Sequence, residues 1–270
     1  MQGVEEVYHL AGFVSRDPAD AGLMYKVHVD GTRYICEAAR VRQCRKVVVV
    51  SSSGTIAVSR EPVVHNESSG YKHEVVAEWP YYLSKIYTEK VALHYARESG
   101  LPVVIANPSL LLGPGDDRGS STGDVALFLD GQLMAMPQGG MSFVDVRDVA
   151  AALIQAMRVG RPGERYLLGG PNWTFRELVL KLAGISGVSP PKIELGMGAS
   201  LASAKVMRKL SDWTGRQLRG LDEASIKMSA LFWYCDPAKA VAELGFRARD
   251  PMATLQDTVN DLRQRRAQPV

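Results

Sequence analysis

Four consecutive valines, Val47 to Val50, constrain this chain more than any other stretch of it. β-Branched side chains are stiff in a helix and suit a pleated strand. Successive strand residues point to opposite faces, so an all-apolar run must be covered on both sides. That is the situation of a strand inside a parallel sheet flanked by helices. The run ends abruptly in Ser51-Ser52-Ser53, and its surroundings repeat the pattern. Val4 to Ala11 is a short apolar strand, after which Asp17-Pro18 opens a helical stretch with Leu23, Val27, Gly31, Tyr34, Ile35 and Ala38 on one side. Pro80 starts another helix, which Leu83, Ile86, Tyr87, Val91, His94 and Tyr95 continue and Gly100 with Pro102 stops; Val103 to Ala106 is the next strand. Strand, helix, strand, helix, strand at this spacing predicts right-handed βαβ crossovers and an α/β, doubly wound parallel sheet.

Beyond Gly113 the signals mix. Phe143 to Val146 and Arg165 to Leu168 read as short strands, each followed by a helix, the second opened by a capping box at Thr174-Phe175-Arg176-Glu177. After Pro190-Pro191 and Gly196-Met197-Gly198, helical segments run to a last helix from Met252 to about Arg265, which predicts a small C-terminal lobe closing over a ligand. With 46% hydrophobic and 23% charged residues, the 270-residue chain has the material for one α/β domain with an appendage, or for two small domains sharing a core. The net charge is +3, and basic residues are dispersed except at Arg263-Gln264-Arg265-Arg266, which reads as a solvated helix end; no stripe is expected to track a nucleic acid. No apolar stretch approaches the roughly 18 residues of a membrane span, and the opening MQGVEEVYHLAG lacks a signal-peptide pattern, so no membrane partner is expected. Cys36, Cys44 and Cys235 are odd in number and lack CxxC spacing, which predicts reduced thiols and a cytoplasmic location. His9, His28, His65, His73 and His94 show no metal spacing, and no metal is expected.

Ligands of doubly wound sheets sit beyond the carboxyl ends of the strands, where Ser51 to Ser53 leave the valine run. Tyr81 and Lys85 lie four apart on the helix that follows, hence on one face. A phenol titrates near pH 10, and a neighbouring cation favours the phenolate. Such a tyrosine can give a proton to a carbonyl oxygen or take one from an alcohol while hydride moves to or from a nicotinamide, with a serine at the strand end holding the oxygen. Tyr-x-x-x-Lys also arises by chance; its place between a serine-terminated buried strand and Asn107-Pro108-Ser109 is what singles this one out.

The ordered series His9-Leu10-Ala11-Gly12, Val29-Asp30-Gly31-Thr32, Ser51-Ser52-Ser53, Tyr81 with Lys85, Asn107-Pro108-Ser109 and Gly113-Pro114-Gly115 resembles the extended short-chain dehydrogenase/reductases, over nearly the whole chain. Within them, Gly113 to Asp116, Ser121-Thr122-Gly123, Val144 to Asp148 and Gly163 to Gly169 look most like dihydroflavonol reductase-like proteins and hopanoid-associated sugar epimerases. The resemblance implies a Rossmann-like fold, with residues 1–115 a partial dinucleotide-binding core and residues 116–270 completing the sheet and forming the substrate lobe. It implies NAD or NADP as cofactor. Tyr81 would be the proton donor or acceptor, Lys85 would lower its pKa and grip the nicotinamide ribose, and Ser53 would orient the substrate oxygen. Leu10, Ala11, Gly12, Ser51, Ser52, Pro108, Ser109 and Leu110 would line the cofactor with Tyr81 and Lys85.

The family's phosphate-binding GxxGxxG normally lies upstream of the strand that here begins at Val4. The expectation is therefore that Met1 is an internal methionine of a longer ancestral frame, and that the exposed first strand invites a homodimer or aggregation. Gly113-Pro114-Gly115 with Gly119 is no substitute, since proline lacks an amide donor and Asp116 and Asp117 repel pyrophosphate; it reads as a loop. His28 stands where the family commonly has Asn and is expected to be structural, while Asp145 and Asp148 are expected to cap a helix. Trp173, Trp213, Trp233 and Tyr234 are read as core rather than as a substrate pocket. Sugar-nucleotide 4,6-dehydratases of this family place Asp-Glu after the hydroxyl residue matching Ser53, where this chain has Gly54-Thr55. That leaves reduction of a carbonyl or oxidation of an alcohol first, a nucleotide-sugar epimerase second, and a non-catalytic dinucleotide-binding remnant as the reading from another class. The implied partner is a small-molecule carbonyl or nucleotide-sugar substrate.

Overall fold

In the computed structural model the described residues are 1–193 and 223–267. The chain begins with strand β1 (Glu6–His9), a 3-10 turn and helix α1 (Ala21–Tyr25), a π-helical turn (Lys26–Asp30), α2 (Gly31–Val41) and β2 (Lys46–Val50). It continues through a 3-10 turn (Ser53–Thr55), α3 (His73–Val76), α4 (Pro80–Ser99), β3 (Val103–Pro108), β4 (Leu110–Leu112) and α5 (Gly123–Leu129). Then come β5 (Gly140–Asp145), α6 (Val146–Val159), β6 (Arg165–Leu168), β7 (Asn172–Thr174) and α7 (Phe175–Ser186). After residue 222 follow α8 (Glu223–Ser229), β8 (Phe232–Trp233), α9 (Ala238–Leu244) and α10 (Pro251–Ala267).

The first sheet is parallel throughout, in the order β1-β2-β3-β6. Its valine run is covered as the sequence predicts. Val47 and Val49 pack with Cys36, Ala39 and Ala92 of α2 and α4, whereas Val48 packs on the opposite face with Val149, Ala152 and Ala156 of α6 and Leu244 of α9. Each such valine contributes about 1.5–3 kcal/mol by leaving water. Helices on both faces of a parallel sheet make this a Rossmann-like α/β fold. The outer edge of β1 pairs with no strand among the described residues. A second, mixed sheet sets β4 parallel to β5, with β5 also pairing antiparallel to β7 and parallel to β8. Phe143, Leu178, Leu182, Leu255 and Val259 form its core with α7 and α10.

Local signals hold closely in α4 and α7. Pro80 occupies the first turn of α4, and Gly100 ends that helix in the left-handed region at φ 66°. Thr174 and Glu177 form the reciprocal capping box, and Asp145 caps α6 by accepting from the Arg147 amide. Asp148 instead binds Arg249, whose Nη2 donates to it over 2.7 Å. The buried face of the 21–41 segment also departs from expectation. Leu23 and Tyr34 are exposed, and Met24, His28, Thr32 and Cys36 point inward at a uniform spacing of four that the π-helical turn accommodates. Two of those four are polar, and they stay buried because each finds a hydrogen-bond partner. Trp233 and Tyr234 are core residues, as read; Trp213 and the helical segments expected between 194 and 222 lie outside the described residues.

Candidate active site

β2 runs out at Val50, and its extended backbone continues through Ser52 (φ −149°, ψ 145°) before the 3-10 turn closes. Side chains alternate along an extended chain, so Ser51 and Ser52 face opposite ways. The Ser51 hydroxyl turns inward and donates to Glu89 Oε1 at 2.5 Å. Ser52 Oγ accepts the Gly54 amide at 3.3 Å, and it is the Ser52 hydroxyl that opposes the effect of burial on the Tyr81 phenol. Ser53, expected to orient the substrate oxygen, is the first residue of the turn and is buried, and Ser52 is the serine that interacts with Tyr81. Ser51, expected beside the cofactor, is likewise buried with its hydroxyl on Glu89.

Helix α4 brings up the other half of the site. Lys85 Nζ donates to the carbonyl of Val50 over 3.1 Å, which fixes the ammonium at the strand end. The Tyr81 ring is wedged between His28 and Tyr82, edge-on to both, with centroids 5.7 Å and 5.1 Å away. His28 ties this helix to the loop after β1, since its Nε2 accepts the Phe13 amide at 2.9 Å while its Nδ1 meets Ser84 Oγ at 2.7 Å. A backbone N–H can only donate, so the proton of the neutral ring is assigned to Nδ1. Ser84 passes the bond on to the Tyr81 carbonyl at 2.8 Å.

Burial dominates the electrostatics here. It lowers Lys85 to about 8, with the Glu89 carboxylate opposing. It lowers His28 to about 3, helped by the Lys85 cation and by His9. It raises Tyr81 to about 12, opposed by the hydrogen bond with Ser52. Lys85, expected to acidify Tyr81, has its ammonium at the Val50 carbonyl, and burial of the phenol is what sets the direction of the shift. At neutral pH Tyr81 is a protonated acid.

The surroundings of Lys85 suit a nicotinamide nucleotide. Ser109 Oγ at the end of β3 is buried with no hydrogen-bond partner among the described residues. A Cβ at Gly12 would stand 3.5 Å from Lys85 Nζ and take up space beside the ammonium. Leu10 is 55% exposed, next to exposed Ala11 and Gly12; Pro108 is buried, and Leu110 is half-buried at the start of β4. The loop at Gly113 to Gly119 is not a phosphate cradle, because Asp116 already accepts the amides of Ser120, Ser121 and Thr122 at 3.1, 2.8 and 2.9 Å. Among the described residues no cluster of His, Cys, Asp or Glu can hold a metal ion, and the three cysteines are buried and unpaired.

The model of the NAD dependent epimerase/dehydratase family matches residues 1–169, which include every residue of this rim. The chain belongs to that family. A Synechocystis sp. protein provisionally named dihydroflavonol 4-reductase is 33% identical over 96% of this chain and 76% of its own length. Sterol demethylase protein B of Methylococcus capsulatus is 30% identical over 98% of this chain and 80% of its own. The crystal structure of gox2253 superposes with a TM-score of 0.81 at 30% identity, covering 97% of this chain and 79% of that one. The family is NAD(P)-dependent. No helix among the described residues is long and apolar enough to cross a membrane.

His28 is structural, as expected, but sequence reasoning missed two participants: Glu89, and Ser52 as the serine that interacts with Tyr81. The first had a visible signal. Glu89 follows Lys85 by four residues, on the face of α4 that carries Tyr81.

Proposed function

We propose that this chain is an NAD(P)-dependent oxidoreductase that reduces a carbonyl, with Tyr81 as the acid. The observation that carries the proposal is the placement of Tyr81 one helical turn before Lys85, whose ammonium donates to the Val50 carbonyl at the carboxyl end of β2. Lys85, Ser109 and the Leu10–Gly12 loop would hold the nicotinamide nucleotide, which would supply the hydride for the substrate carbon. Ser52 holds the carbonyl oxygen, and Tyr81 gives that oxygen its proton as negative charge develops on it. The Lys85 ammonium, held on the Val50 carbonyl at the carboxyl end of β2, would supply the positive charge and N–H donors for the nucleotide. The product is an alcohol, and Tyr81 regains its proton from water. A cleft of about 520 Å³ lined by Val14, Arg16, Ser121 and Asp124, just beyond the Leu10–Gly12 loop in the chain, is the candidate substrate site.

Dehydration is disfavoured on packing grounds. Ser53, Gly54 and Thr55 offer no carboxylate, and even a Cβ on Gly54 would lie 2.3 Å from the Tyr82 ring. An acid at that position would displace the tyrosine stacked on Trp233. The test is consumption of NADPH and NADH against a panel of aldehydes, ketones and dihydroflavonols. Turnover that falls about 100-fold or more in Tyr81→Phe is expected from the loss of a general acid. Equal turnover by that variant would remove Tyr81 from the reaction.

A further inference from the structure

One buried carboxylate holds the serine turn from behind. Glu89 of α4 is fully buried, and its Oε1 accepts from Ser51 Oγ at 2.5 Å, from Thr55 Oγ1 at 2.8 Å and from Asn107 Nδ2 at 2.7 Å. The first two donors stand on either side of Ser52 in the chain, and the third comes from β3. Two of the three also reach the Ser52 carbonyl, Thr55 Oγ1 at 2.8 Å and Asn107 Nδ2 at 3.0 Å. The other carboxylate oxygen, Oε2, faces Arg165 Nη1 of β6 at 3.5 Å. That guanidinium is itself fixed, lying 4.6 Å from the centroid of the Tyr71 ring and donating to the Tyr71 hydroxyl at 3.0 Å. A buried carboxylate is tolerated when charge and donors compensate for lost water; here Arg165 supplies the charge on one oxygen and the turn supplies the donors on the other.

We propose that Glu89 is a positioning residue for Ser52: its Oε1 ties the Ser51–Thr55 turn to α4, the helix that carries Tyr81, so that one rigid element sets both groups at the reacting carbonyl. The proposal rests on the reading of Ser52 and Tyr81 as the groups that meet the substrate oxygen. The turn's own bonds are long, since Ser52 Oγ takes the Gly54 amide at 3.3 Å and the Ser52 carbonyl takes the Thr55 amide at 3.3 Å. Hydrogen bonds to a carboxylate are roughly twice as strong as those between neutral groups, so the three on Glu89 outweigh them. Glu89 acts on Ser52 through Ser51, Thr55 and Asn107. A small misplacement of a group at the reacting centre costs turnover, so loss of Glu89 should register in kcat and not in nucleotide affinity.

The experiment has two arms. In the first, kcat for carbonyl reduction and NADPH affinity are measured in wild type, Ser52→Ala, Glu89→Gln and the double variant. Glu89→Gln should lower kcat about tenfold where Ser52 is present but less than about twofold where it is already alanine, because coupled residues are not additive. NADPH affinity should change less than about twofold throughout. Equal fold losses of kcat in both backgrounds would overturn the proposal. In the second arm, amide hydrogen exchange is followed by mass spectrometry in wild type, Glu89→Gln and Thr55→Val, which removes one donor and keeps the shape. Exchange in residues 51–57 should quicken about tenfold in both variants while α6 exchanges as in wild type; unchanged exchange in residues 51–57 would overturn the proposal. If Glu89→Gln does not fold, Thr55→Val takes its place in the cycle with Ser52→Ala. A wild-type chain that reduces no carbonyl, with exchange still quickened, would count against the functional reading and not against the hold of Glu89 on the turn.

Discussion

Acidification from pH 7 to pH 5 should strip about 2 kcal/mol of stability from this chain through His28 alone. Unfolded, an imidazole takes up its proton near pH 6.5. Folded, His28 does so only at about 3, because it is 1% exposed beside the Lys85 cation, and because protonating Nε2 would break the bond from the Phe13 amide. Between those values the unfolded state holds the extra proton, so acid favours unfolding. The contribution is whole above about pH 6.5 and is lost progressively as pH falls toward 3, at about 1.4 kcal/mol per unit. At pH 5 the deficit is about 1.5 units, hence the figure of about 2 kcal/mol, a sizeable part of the 5–15 kcal/mol typical of a domain. Urea denaturation at pH 7, 6 and 5 of wild type and His28→Gln isolates the effect. Glutamine keeps an acceptor for Phe13 but does not titrate, and His9, also shifted down by burial, is present in both chains. The variant should be less stable at pH 7, and the gap should narrow by about 2 kcal/mol by pH 5. Parallel stability curves would refute the reasoning, since they would mean that His28 titrates alike in folded and unfolded chain.

Other consequences follow from the same geometry. Ser52→Ala should reduce turnover more than Ser53→Ala, because Ser52 is the serine that acts on the Tyr81 phenol; the reverse order in steady-state rates would assign the role to Ser53. Below saturating cofactor, carbonyl reduction should fall as pH rises through about 8, where Lys85, lowered by burial, loses the charge that holds the nucleotide; a rate unchanged from about pH 7 to about pH 10 would contradict that role. Gly54→Ala should cost about 1–3 kcal/mol by forcing Tyr82 off its stack on Trp233, seen as a lowered melting temperature and a changed near-ultraviolet circular dichroism spectrum. An unchanged spectrum would show that the ring can move without cost.

What could be read from the sequence divides along a physical line. Local rules determined the valine strand, the Pro80 start and Gly100 stop of α4, and the Thr174 capping box, because each depends on a few neighbouring residues and was found where expected. The active-site half of α4 was legible for a related reason, since Tyr81 and Lys85 share a face by helical period alone. The failures involve tertiary partners. His28 and Thr32 are inward-facing only because Ser84 and His9 wait for them, so an apolar-periodicity argument placed the helix face one residue off. Ser52 rather than Ser53 meets Tyr81 because a 3-10 turn begins at Ser53, and three successive serines give no sign of where a turn starts. Spacing reports the nearness of Lys85 to Tyr81 but not how deeply the phenol is buried. Glu89 lay in plain view on the same helix face, yet a lone glutamate on a helix usually faces water.

The most direct measurement is equilibrium titration of NADPH and NADH into the purified 270-residue chain and its Lys85→Met variant, followed by cofactor fluorescence. Saturable binding of at least one nucleotide by wild type, weakened tenfold or more in the variant, is the predicted result. Identical binding by both chains, or none by wild type into the millimolar range, would contradict a cofactor held at the strand end by that ammonium.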